Sequence, residues 1–123
     1  MSLHLDLAAR IDDTFGAHLE TPVEVKLDAL IARLDNGAIL EARIAAADAY
    51  AIAWVWGEAE LRIDTAPLHR ELDSFPNHLH AADGSLQRDP LTRCGAEPWD
   101  NLRAVIEAVL ADPLLAASTG AAS

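Results

Sequence analysis

Three of the five histidines in this 123-residue chain, His69, His78 and His80, stand within twelve residues of one another. They form the densest group in the sequence able to bind a metal or move a proton. If residues 77 to 81 are extended, His78 and His80 project from one face, because side chains two apart share a side. Pro76 favours that shape by biasing Phe75 away from helical backbone. Asp64 is close enough in sequence to orient an imidazole, and Arg62, Arg70, Arg88 and Arg93 bring positive charge nearby.

Three chemistries suit this set. His69, His78 and His80 are candidate ligands for a divalent metal such as zinc, with Asp64 or Asp83 completing the shell or holding a ring in place. Two of the histidines could instead serve as general acid and base in phosphodiester cleavage, with Arg62 or Arg88 binding the charged phosphate. A third use is a protein-binding surface whose affinity follows histidine protonation. The plain alternative is that the rings only hydrogen-bond loop backbone. His-x8-His-x-His matches no strong zinc signature. His4 and His18 fall in the first predicted helix as solvated side chains, and lone Cys94 has no neighbour that would make it a nucleophile.

The elements that must position these groups follow from periodicity. Leu3, Leu7, Ile11, Phe15 and Leu19 recur every four residues and predict a helix over 2–19, capped by Ser2 and closed before Pro22. Residues 25–34 read as a strand, although Thr21-Pro22-Val23-Glu24 also has the form of a capping box. Asp35-Asn36-Gly37 is a tight-turn signal, and strands follow over 38–46, 49–56 and 59–64. Tyr50, Ile52, Trp54 and Trp56 share one face of the third strand, which reads as core. Ala51, Ala53 and Val55 on the other face leave room for a close-packed helix. Pro98 opens a closing helix with Leu102, Val105, Ile106, Val109 and Leu110 on one side, limited by Asp112-Pro113. The expectation is an α+β fold: a four-stranded antiparallel meander packed by an N-terminal and a C-terminal helix, with the histidine segment beside the sheet. Residues 1–115 form one domain in this reading, and 116–123 a frayed tail.

Composition narrows the setting. Hydrophobic residues make up 51% of the chain and aromatics 5%, a globular profile. No apolar run is long enough to span a membrane, the N-terminus lacks a signal-peptide pattern, and a single cysteine suits a reducing cytoplasm. A net charge of −11 opposes broad binding to nucleic acid and favours a basic partner, or serves solubility alone. Sheet edges and the alanine-rich face invite a homodimer.

Arg62-Ile63-Asp64-Thr65-Ala66-Pro67-Leu68-His69, followed by Phe75-Pro76-Asn77-His78-Leu79-His80, resembles the TumE family of toxin–antitoxin proteins. The hairpin from Asp35 to Glu41, the tyrosine-led strand and the closing helix are similar too, so the resemblance covers most of residues 25–112. Thr65, Leu68, Asn77 and Leu79 depart from the family pattern. Arg62, Asp64, Pro67, His69, Phe75, Pro76, His78 and His80 keep it. The resemblance implies a toxin component made with a cognate antitoxin protein, and RNA is the substrate suggested by analogy with other small bacterial toxins.

Overall fold

A computed structural model of the chain describes residues 2–116. Helix α1 (Leu3–Phe15) starts where expected, with Ser2 Oγ accepting the Leu5 amide at 3.1 Å. It ends earlier than 19, and a 3₁₀ turn (Gly16–His18) carries the chain toward the sheet. The sheet has seven strands in sequence order, all antiparallel neighbours: β1 (Glu24–Val25), β2 (Leu30–Arg33), β3 (Ile39–Ala46), β4 (Ala49–Trp56), β5 (Ala59–Asp64), β6 (His78–His80) and β7 (Leu86–Arg88). Helix α2 (Pro98–Ala111) closes the fold, with proline in its first turn and Asp100 near its positive end. The expected tail lies, beyond Ala116, outside the described residues.

The α+β class is as expected, but the four-strand expectation is wrong, for two physical reasons. Residues 25–34 are not one strand. Val23, Val25 and Leu27 fall on odd positions and Leu30, Ala32 and Leu34 on even ones, so no single strand can bury both sets. The chain turns between them, with the Lys26 amide bonded to the Ala29 carbonyl at 2.7 Å and Leu27 fully exposed. The histidine segment, in turn, does not run beside the sheet but extends it. Its β6 pairs with β5, Asp64 opposite His78 and Arg62 opposite His80, and a second short hairpin adds β7. That hairpin turns at Asp83-Gly84, where Gly84 takes φ +86° and Asp83 Oδ1 accepts the Ser85 amide at 2.9 Å. Asp-Gly carries the same turn chemistry as Asn36-Gly37.

Burial alternates along β4. Tyr50, Ile52 and Trp54 are buried, while Ala51, Ala53 and Val55 are half-exposed. Both helices therefore cover the aromatic face rather than the alanine face, which overturns the expected seat for a helix. Leu7, Ile11 and Phe15 of α1 and Leu102, Val105, Ile106 and Val109 of α2 join Leu40, Ile52, Trp54, Leu61, Ile63 and Leu79 in one core. The larger aromatic side chains fill the space between helix and sheet that small alanines would leave empty. Trp56, at the end of the strand, stays 39% exposed. Its indole donates to the Asn36 carbonyl at 2.9 Å across the turn at Gly37, whose φ is +95°. Among the described residues, no helix is long and apolar enough to cross a membrane.

Residues 65–77 and 89–97 have little regular structure, and a buried polar cluster orders them. The Asn77 amide donates to Tyr50 Oη at 2.7 Å, to Asp89 Oδ2 at 3.1 Å and to Thr92 Oγ1 at 3.1 Å. Asp89 Oδ1 accepts the backbone amides of Leu91 (2.8 Å) and Thr92 (3.0 Å), and its Oδ2 accepts the Thr92 hydroxyl. Asn101 of α2 exchanges hydrogen bonds with the backbone of Arg93 at 2.9 and 3.0 Å. This cluster pins the strand that carries the histidines to the core.

Candidate metal centre

The uncovered face of the sheet carries the chemistry. Arg62 and Asp64 of β5 share that face with His78 and His80 of β6, because residues two apart on a strand and residues in register across it point the same way. The ladder thus brings together four side chains separated by up to 18 positions in sequence. Asp64 Oδ1 lies 2.8 Å from His78 Nε2 and accepts the Ala66 amide at 3.1 Å. Its Oδ2 accepts Arg62 Nε at 2.8 Å and stands 3.6 Å from His80 Nε2. An Arg62 terminal nitrogen lies 3.0 Å from the same His80 nitrogen.

Hydrogen-bond logic fixes which atoms offer lone pairs. A guanidinium only donates, so His80 Nε2 must accept, and the hydrogen of a neutral His80 ring sits on Nδ1. His78 is different. Its Nδ1 is 3.3 Å from the Pro76 carbonyl and its Nε2 is 2.8 Å from the Asp64 carboxylate, two acceptors for a neutral ring that has one hydrogen. Nδ1 bonded to a backbone carbonyl with Nε2 directed at a shared point is the arrangement that metal-ligating histidines use. Asp64, His78 and His80 offer ligand atoms all within 4.8 Å of one another and could hold a metal ion.

Burial grades the site. The His78 side chain is 2% exposed, Asp64 13% and His80 39%, so the cluster is closed below and open toward His80. A cleft of about 360 Å³ begins there, lined by Ala53, Val55, Glu60, Arg62, His80 and Gly84 among others. Burial, then the Arg62 charge, push the His80 imidazole below its ordinary value near 6.5, with Asp64 opposing. A depressed histidine favours the fold while neutral. Its contribution is complete above about pH 6.5 and is lost as pH falls through the lowered folded value. Melting curves should therefore show the wild type losing more stability between about pH 7 and pH 5 than His80→Gln. Equal losses would mean that His80 senses no such environment.

The other expected residues divide. His69 packs edge-on against His78, ring centres 5.0 Å apart, with Nδ1 3.6 Å from Glu71. It walls the site and is not one of the three converging ligands. Asp83 is exposed and held low by its hydrogen bonds to Ser85, serving the β6–β7 turn rather than the cluster. Arg88 stands exposed opposite His78 in the ladder. His4 is not merely solvated, because its Nε2 accepts the Ile44 amide at 3.2 Å and ties α1 to β3. Sequence reasoning missed the Pro76 carbonyl and the Ala66 amide as partners of the site. It also missed the Asn77–Asp89–Thr92 support, whose signal was Asp-Pro-x-Thr, a turn in which the aspartate accepts amides two and three residues on. Thr65 and Asn77, two of the departures from the family pattern, are both structural. Thr65 Oγ1 accepts the Tyr50 amide at 3.0 Å, and Asn77 is the hub of the buried cluster. No family model, curated protein or solved structure matches the chain.

Proposed function

We infer that the protein is a toxin component resembling the TumE family, working through a divalent-metal centre at Asp64, His78 and His80 on an anionic substrate, RNA first among them. The observation that carries the metal reading is the convergence of one carboxylate and two imidazoles within 4.8 Å. Zinc fits best, since two imidazoles and a carboxylate suit it and leave a position open for water or substrate. Bound there, zinc would supply a polarised water at neutral pH. Arg62 and Arg88 provide the cations for a phosphodiester, locally offsetting the net charge of −11.

A metal-free mechanism with two histidines as acid and base has less support, because His78 at 2% exposure cannot reach a polymer. His80 and His69, at 39% and 31% exposure, are open enough to exchange a proton, but the His69 Nδ1 faces Glu71 at 3.6 Å and not the cluster. The surface left for a cognate antitoxin is the uncovered sheet face and the short edge strands β1 and β7.

Inducible expression in a bacterial host tests the toxin reading. Wild-type protein should arrest growth, and a folded His78→Ala, His80→Ala double variant should not. Cleavage of RNA by zinc-loaded wild type, lost in Asp64→Ala, would join the arrest to the metal centre. Growth unaffected by soluble wild type would remove the toxin assignment and favour a non-catalytic interaction module, while leaving the metal question to its own measurement.

A further inference from the structure

Arg62 already bonds two of the three residues that a metal ion would need. Its guanidinium takes Asp64 Oδ2 at 2.8 Å and His80 Nε2 at 3.0 Å, on two of the three residues of the candidate ligand set. The imidazole nitrogen has one lone pair, which a dication and a guanidinium cannot share, and at that range the two cations repel. The arginine also has somewhere to go. Its side chain is 50% exposed and lines the cleft of about 360 Å³ that opens beside His80.

We propose that Arg62 gates this metal site. Without metal, the guanidinium serves as the resident cation, holding Asp64 and His80 in ligand geometry. When a divalent ion enters, Arg62 gives up both bonds and turns into the cleft. There its five donors are free for an anionic group such as a phosphodiester oxygen. Anion binding thereby becomes conditional on metal binding, and the wild type holds metal more weakly than its ligands alone would allow. The inference rests on the metal reading above and adds to it the order of events.

Zinc titrated into wild type, Arg62→Gln and Arg62→Lys, all checked for native circular dichroism, tests the gate. Removing the guanidinium should tighten zinc binding roughly tenfold, the order expected for releasing charge-assisted hydrogen bonds and a like charge. Lysine, a point charge without the fork, should fall between. In wild type the Arg62 Nε–H resonance should shift on zinc addition as its bond to Asp64 breaks. Zinc binding by Arg62→Gln equal to or weaker than wild type, or an unmoved resonance in zinc-loaded wild type, would overturn the gate and leave the metal centre standing. No zinc uptake by any of the three would overturn both.

Discussion

Asp89→Ala is expected to destabilise the protein by about 3 kcal/mol or more, measured by urea unfolding, which is the largest stability effect anticipated near the site. Asp89 is 6% exposed and its two carboxylate oxygens accept four hydrogen bonds. Truncation orphans the backbone amides of Leu91 and Thr92, at about 1–3 kcal/mol for each buried unpaired donor, and takes a further acceptor from the Asn77 amide and the Thr92 hydroxyl. Asp89→Asn keeps one acceptor oxygen but brings an NH₂ group toward the donors of Asn77 and Thr92, so about half the loss is expected. The effect should reach the metal centre as well. Asp89 and Ser74 clamp the chain on either side of His78, with Ser74 Oγ accepting the Asp89 amide at 2.7 Å and donating to the Asn77 carbonyl at 2.6 Å. A loss below about 1 kcal/mol would show that the cluster is hydrated and not the anchor argued here.

Replacing His78 should have the largest effect on metal affinity. His78→Ala removes the most buried of the three ligands, and affinity should fall at least about 100-fold, beyond the range seen when only the partner of a ligand is lost. His78→Gln gives a useful contrast. It preserves most of the volume, so stability is largely retained while the ring nitrogen is gone. His69→Ala should change zinc affinity far less than either, since His69 touches His78 through its ring edge and supplies no converging atom. Equal losses from His69→Ala and His78→Ala would move the centre to the three histidines grouped by sequence alone.

Much of this site is legible in the sequence. The His-x-His pair on one face of an extended segment follows from strand periodicity and Pro76, and β6 realises it. Asp64 as the group that orients an imidazole also follows from where its strand must end, and it meets His78 at 2.8 Å. What periodicity cannot give is pairing partners. Nothing local says that a three-residue strand will add to β5 instead of lying beside it, because ladder hydrogen bonds between distant segments leave no trace in either one. His69 illustrates the same limit: proximity in sequence put it among the ligands, and the fold sets it edge-on against His78. Two misreadings had signals that could have been used. The switch from odd to even apolar positions between Leu27 and Leu30 marks a turn, and Asp83-Gly84 marks a hairpin just as Asn36-Gly37 does. The face chosen by the helices was also decidable, since Trp54 at 1% exposure needs a deep core that small alanines cannot supply.

X-ray absorption at the zinc edge, on untagged full-length protein loaded with one equivalent of zinc, addresses the centre most directly. One ion per chain with scattering from two imidazoles and additional oxygen ligands is the expected spectrum, lost in His78→Ala. Zinc that fails to stay bound after dialysis, or a spectrum without imidazole scattering, would mean that Asp64, His78 and His80 form a hydrogen-bonded network and no metal centre.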